Sequence, residues 1–164
     1  MNNGAYILIK FDDHEKLLPA IQTLSEAQQI SKWDAVDGYY DLIIKLKEYD
    51  SSYIEQLKKI DGATKLIDCE LINDNEKEDD LSPDFLYSYL FIECDKNEQD
   101  SLLSALEKNE AIVFCSSSSG KYNLIAMAKG KLFDDIDKLT DNNIRTLNGV
   151  LRLKRDRIIK LDSM

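Results

Sequence analysis

Asp41 stands at the head of an apolar run, Asp41-Leu42-Ile43-Ile44. A carboxylate in such a setting needs a partner, because leaving a charge desolvated costs several kcal/mol or more. Two partners suit it: a lysine on a neighbouring strand, or the amino group of a bound amino acid. Asn123 heads a matching run, Asn123-Leu124-Ile125-Ala126, and keeps an acceptor without the charge, so a second site there would be weaker or different. Tyr39, Tyr40 and Tyr122 precede these positions and could line a cleft, or simply pack within a sheet as strand tyrosines do. Ser116-Ser117-Ser118-Ser119 offers hydroxyls and backbone N–H groups to a carboxylate or phosphate; a polar strand end leading into a turn is the plainer reading.

Other chemistry is thinly represented. The single histidine, His14, falls in the first turn of a helix, with neither a His/Cys/carboxylate cluster nor a glycine-rich phosphate loop around it, so no enzyme and no cofactor is expected. Cys69, Cys94 and Cys115 are widely spaced and lack metal-ligand spacing, which points to buried, reduced thiols and no metal site. The net charge of −10 argues against binding along a phosphate backbone, since that affinity depends on clustered Lys and Arg. Half of the acidic excess lies in residues 73–86, with one Lys against six Asp/Glu. No run approaches the roughly 18 apolar residues of a membrane span, so a soluble, cytoplasmic protein without membrane or direct nucleic-acid partners is expected. Arg152, Lys154, Arg155, Arg157 and Lys160 form one basic stripe, expected at a sheet edge where charge discourages aggregation. A contact between this stripe and the acidic segment is a second possibility.

The elements that position these groups come in two rounds. Ala5 to Phe11 reads as a strand, Asp12 and Glu15 as a capping box for a helix through Leu24, with Pro19 limiting its first turns. Ile30–Val36 and Tyr39–Leu46 read as strands joined across a two-residue Asp37-Gly38 turn. A helix over about 51–60 follows, ended by Gly62, and Thr64–Ile72 is a fourth strand. The second round runs from Ser88 with the cap Asp95 and Glu98, the hairpin glycine Gly120, a longer last helix over about 132–147 holding about five extra residues, Gly149, and a closing strand from Val150 to Leu161. The order is βαββαβ twice: residues 1–72, an acidic linker 73–86, and residues 87–164.

Such a unit folds most simply as an antiparallel sheet with two helices on one face, the ferredoxin-like α+β arrangement. Ile7-Leu8-Ile9, Leu42-Ile43-Ile44 and Tyr89-Leu90-Phe91-Ile92 are apolar at consecutive positions, which demands cover on both faces. The expected architecture is therefore a pseudo-dimer with the two antiparallel sheets packed face to face, like a dimeric α+β barrel. Trp33 belongs in a core or interface.

With the hairpin in view, each unit resembles the effector-binding and oligomerisation domain of the Lrp/AsnC family. That domain has the same element order and a hairpin pattern close to Val-Thr-Gly-x-Tyr-Asp-Leu. Here it stands as Val36-Asp37-Gly38-Tyr39-Tyr40-Asp41-Leu42, and the second copy departs from it as Ser119-Gly120-Lys121-Tyr122-Asn123-Leu124. The resemblance implies a covalently fused pair of domains that binds amino acids or similar effectors near the glycine hairpins, with Gly38, Tyr40, Asp41, Gly120, Tyr122 and Asn123 as the effector-binding candidates. It implies amino-acid sensing, oligomerisation and indirect transcription regulation, through homo-oligomers or co-assembly with a full-length regulator. Ala5 reads as the start of the first strand, so the family's helix-turn-helix is not expected here. The expectation is a non-catalytic regulatory module; the alternative is a protein-interaction module with no small-molecule ligand.

Overall fold

The computed structural model describes residues 3–76 and 81–159. Over these residues the two rounds are β1 (Ala5–Phe11), α1 (Leu17–Leu24), β2 (Ile30–Asp37), β3 (Leu42–Leu46), α2 (Ser51–Leu57) and β4 (Ala63–Asn73), then β5 (Leu86–Cys94), α3 (Gln99–Glu107), β6 (Ile112–Ser118), β7 (Leu124–Gly130), α4 (Phe133–Leu139) and β8 (Val150–Ile159). All strand pairings are antiparallel, and the strands close into a barrel in the order β1-β3-β2-β8-β5-β7-β6-β4.

Closure corrects the expectation of two separate sheets face to face. β2 pairs with β8 at Ala35–Ile159, Val36–Ile158 and Asp37–Arg157, and β4 pairs with β6 at Leu71–Ser118. An open edge presents a row of unpaired N–H and C=O groups, and joining both edges removes it. The basic stripe is corrected with it, because β8 lies between β5 and β2 and not at a free edge. Arg155 and Arg157 reach Asp137 at 2.8 Å each, on the neighbouring α4, while Lys160 lies outside the described residues.

The consecutive apolar positions do have cover on both faces. Tyr6, Leu8, Ile43, Tyr89, Phe91 and Ile125 fill the barrel interior. Their sequence neighbours point outward, Ile7, Ile9 and Ile44 against Ile21, Leu24, Ile54 and Leu57 of α1 and α2. Leu90, Ile92 and Ala126 do the same against Leu102, Leu106 and Ile136 of α3 and α4. Trp33 packs at the margin of the first of these outer layers. The three cysteines are buried and free.

Local differences have local causes. The first cap is Asp13, whose carboxylate accepts the Glu15 N–H at 2.9 Å, and Asp12 instead donates its N–H to the Gly62 carbonyl at 2.9 Å. A short 3-10 turn, His14–Lys16, then leads into α1 and leaves Pro19 in its first turn, where no helical hydrogen bond is lost. The hairpins are wider than two-residue turns: Val36 N–H reaches the Asp41 carbonyl at 3.0 Å and Ser118 N–H that of Asn123 at 2.8 Å, so residues 37–40 and 119–122 form the connections. The extra length near α4 is a π-helical turn, Thr140–Ile144, with the buried Thr140 hydroxyl donating to the Ile136 carbonyl at 2.7 Å. Gly62 and Gly149 hold φ of +90° and +97°, the left-handed region glycine enters without steric cost.

Because neighbouring strands alternate in direction, β1 and β5 run the same way on opposite sides of the barrel, and the approximate two-fold lies along its axis. Equivalent residues meet on that axis. Tyr6 and Tyr89 pack edge to face with centroids 6.1 Å apart at one end, and Tyr40 meets Tyr122 near the other.

Candidate functional site

Of the residues singled out in the hairpins, Tyr40 and Tyr122 are brought together, whereas Asp41 and Asn123 are held at two separate strand bulges, each with a partner within the chain. Tyr40 and Tyr122 are almost completely buried, with their hydroxyls 2.7 Å apart. Asp41 Oδ2 accepts the Phe11 N–H at 2.7 Å, at the bulge where the pairing of β1 with β4 slips between Lys10 and Phe11. Asn123 Oδ1 accepts the Cys94 N–H at 2.8 Å, at the equivalent slip between Glu93 and Cys94. A bulge frees one backbone donor from the ladder, and the motif acid or amide takes it. Asp41 also lies 3.3 Å from His14 Nε2, whose side chain is 83% exposed. The partner of Asp41 is thus a backbone amide and a histidine, and neither of the two anticipated.

Each hairpin glycine packs on the closing strand of the other half. A Cβ at Gly38 would stand 2.7 Å from the Arg155 carbonyl oxygen, and one at Gly120 would stand 2.8 Å from that of Asp68. Below these contacts sit Asp156 and Cys69, which occupy equivalent places opposite Tyr89 and Tyr6. Asp156 accepts the N–H groups of Tyr39 and Tyr40 at 2.6 and 2.9 Å. Burial raises its pKa, the two N–H groups pull the other way, and the charges of Asp41 and Asp37 add to the rise. At Cys69 the Tyr122 N–H and the Ser118 hydroxyl face the sulfur, yet burial pushes the thiol up to about 11. Ser116, Ser117 and Ser118 are buried rather than presented to a ligand, with Ser116 Oγ accepting the Asn75 N–H at 2.9 Å.

The densest cluster of ionisable groups lies at the opposite end of the barrel. There Lys32 and Asp34 come from β2, Lys45 from β3, Tyr6 from β1, Tyr89 from β5, and Asp74 and Glu76 from the chain just beyond β4. Lys45 Nζ is 2.8 Å from Asp74 and 3.0 Å from Glu76. Lys32 pairs with Glu76 and lies 3.8 Å from Asp34. The Tyr6 hydroxyl donates to Glu76, and the Tyr89 hydroxyl donates to Asp34 at 2.6 Å. Lys32 also lies 5.4 Å from the Tyr89 ring centroid and Lys45 5.5 Å from that of Tyr6, a cation–π arrangement.

This low-dielectric setting separates the acids. Burial raises Asp34, with Lys32 and the Tyr89 hydroxyl opposing it. Burial works to raise Glu76 too, but Lys32, Tyr6 and Lys45 together hold it below the usual carboxylate range. Tyr6 and Tyr89 are both held protonated, first by burial and then by the carboxylates beside them. Perturbed groups gathered at a cavity are a marker of functional sites. Two cavities meet here. One of about 520 Å³ is lined by Ser31, Lys32, Lys45, Lys47, Asp74 and Glu76. The other, of about 420 Å³, lies beyond Asp74 and Glu76, against Glu107, Val113 and Phe114.

Sequence reasoning missed this cluster, although Lys45 within Leu42-Ile43-Ile44-Lys45-Leu46 carries the same signal that drew attention to Asp41. The acidic segment does make ion pairs with basic residues, but its Asp74 and Glu76 meet Lys45 and Lys32 and not the stripe on β8.

No family model matches the chain, and no curated protein matches it. Solved structures do share its fold. The siroheme decarboxylase NirDL, solved in co-complex with an iron-uroporphyrin III analogue, superimposes with a TM-score of 0.77 at 10% identity over 96% of this chain and 71% of that one. A mutant chlorite dismutase from Candidatus Nitrospira defluvii gives 0.57 at 10% identity, over 98% and 92% of the two chains. AsnC of E. coli is also among the neighbours, at 0.44 and 15% identity over 70% and 72%. The expectation of a non-catalytic protein is thereby overturned: the fold along nearly the whole chain is that of proteins named as enzymes, and it gives no ground for excluding catalysis.

Neither the histidine nor the cysteines are presented to a haem-type iron. Such an iron takes an axial His, Cys, Met or Tyr. The one histidine turns its Nε2 to Asp41, the thiols are buried, and among the described residues no group of three His, Cys, Asp or Glu could hold a metal ion. Also among the described residues, no helix is long and apolar enough to cross a membrane.

Proposed function

We propose that the chain is a ligand-binding α+β barrel whose site is the paired cavity at the Tyr6–Tyr89 end, and that its ligand is a small zwitterion of amino-acid type. The observation that supports this most is the half-buried network of Lys32, Lys45, Asp74 and Glu76 on the wall of the 520 Å³ cavity, with Asp34 behind Lys32. A cavity of that size suits a small ligand held by a few placed polar groups. Lys47 and Lys45 offer cations to a carboxylate. Asp74, with Glu107 across the second cavity, offers anions to an ammonium group. The site differs from the hairpin cleft that the regulator resemblance implies, where Asp41 and Asn123 are taken up by backbone amides.

The Tyr89–Asp34 hydrogen bond of 2.6 Å supports a second reading, in which a bound ligand also exchanges a proton here. Isothermal titration against each of the twenty amino acids, with mass spectrometry of the ligand recovered after incubation in D2O, tests both. At least one amino acid is expected to bind, with affinity falling fivefold or more in Lys47→Met, an exposed residue whose replacement leaves the network intact. Absence of binding by all twenty would overturn the assignment, and an altered ligand mass would establish turnover.

A further inference from the structure

At the hairpin end of the barrel, Lys10, Lys65 and Lys154 bring their ammonium groups to 4.9, 5.2 and 4.3 Å from the ring centroid of one residue, Tyr39. Lys65 also donates to the Tyr39 hydroxyl at 3.3 Å. All three extend rows that face the barrel interior. Lys10 follows Tyr6 and Leu8 on β1, Lys65 precedes Ile67 and Cys69 on β4, and Lys154 lies opposite Phe91 and two residues before Asp156 on β8. Among the described residues none of the three has an ion-pair partner, in a protein with a net charge of −10.

Lys10 and Lys65 are moreover direct cross-strand partners. Like charges placed opposite one another on a sheet face are destabilising. The related pair in the second half is Glu93 and Arg152, which are also cross-strand partners and lie 3.8 Å apart as an ion pair. One half thus pairs its charges at this position, and the other gathers three lysines that have no ion-pair partner among the described residues around a half-buried phenol. The hydrogen bond from Lys65 and the charges of Lys65, Lys154 and Lys10 lower the pKa of Tyr39, so the lysines already stabilise negative charge there.

We infer that the hairpin mouth of the barrel is a binding site for a phosphoryl-type polyanion, with Lys10, Lys65 and Lys154 as its cations and Tyr39 as the platform between them. A phosphoryl group presents three acceptor oxygens and close to two charges near neutrality, which three ammonium groups match and a single carboxylate does not. Free phosphate, pyrophosphate and a phosphate ester share that chemistry. This site is independent of the cavity at the other end of the barrel, since Lys10 and Tyr6 lie at opposite ends of β1.

The test is isothermal titration and thermal melting of the full chain with inorganic phosphate, pyrophosphate, glycerol phosphate and citrate, each against sodium chloride at matched ionic strength. Pyrophosphate is expected to raise Tm by several degrees at millimolar concentration and to raise the pH at which Tyr39 ionises in the ultraviolet spectrum. Lys65→Met and Lys154→Met should each weaken binding tenfold or more, while Lys129→Met, a remote lysine over Phe85, leaves it unchanged. Phosphate and glycerol phosphate arms show whether a free ion or an ester binds better. Lys65→Met, relieved of Lys10, should melt no lower than the parent without anion; if it fails to fold, Lys154→Met carries the comparison. A Tm shift no larger than with chloride, an equal shift in Lys154→Met, or citrate binding as tightly as pyrophosphate would each overturn the assignment.

Discussion

The hydroxyls of Tyr40 and Tyr122, 82 positions apart in the chain, form a 2.7 Å hydrogen bond on the barrel axis. Each is the other's partner in a place closed to water, where burial raises the pKa of both phenols. A buried polar group left unpaired costs about 1–3 kcal/mol, whereas replacing both partners by apolar groups is nearly neutral. Tyr40→Phe and Tyr122→Phe should therefore each destabilise the fold by that amount, and the double variant should recover most of it. Urea unfolding of the three variants checks this; additive losses would show that the hydroxyls act separately.

The same offset places Asp41 and Asn123 at the two strand bulges. Asp41→Ala leaves the Phe11 N–H without its acceptor and should cost about 1–3 kcal/mol. Asp41→Asn keeps an oxygen in place, as Asn123 does in the other half, and should cost less than half as much. Equal losses from the two changes, measured by urea midpoint, would mean that the charge matters here and not the acceptor. His14→Gln should change stability little, because an ion pair on so exposed a side chain is weak.

Asp156 sets a pH dependence whose sign follows from burial. Its folded-state pKa lies above the ordinary value of 3.8. The native state therefore holds the proton more tightly than the unfolded chain does. The stability gained is fully present below the ordinary value and is given up as pH rises through the raised one. Asp34 acts in the same direction. Asp156→Asn removes one of the two contributions, so its stability should decline less than the parent's between pH 4 and 7. Parallel urea midpoints across that range would rule out a raised Asp156.

What the sequence revealed, and what it hid, separate along the range of the interactions. The order of elements and the match of Asp95 as a cap rest on residues within one or two turns of one another, and they were legible. Gly62 and Gly149 do take the left-handed conformation, but just ahead of β4 and β8, with α2 already ended at Leu57 and the π turn after α4 at Ile144. The seams were not. Val36 opposite Ile158 and Leu71 opposite Ser118 join segments with no turn between them, and their partners are chosen by barrel closure. Asp156 was passed over between Arg155 and Arg157 of the basic stripe, although it is the one residue of the three that turns inward. The Lys32–Glu76–Lys45 network was hidden because Glu76 comes from an acidic stretch that read as a spacer.

The two halves are closed into one barrel within a single chain, and that bears on how the molecule can change by mutation. In a barrel made from two identical chains, every substitution appears twice, so a lysine at position 10 would arrive with a second copy across the axis. Here each half inherits its changes alone. Asp156 faces its hairpin while the related place is Cys69, Lys10 and Lys65 confront each other while Glu93 and Arg152 neutralise each other, and Tyr39 is answered by Lys121. One half is free to hold the architecture while the other drifts toward a new specificity.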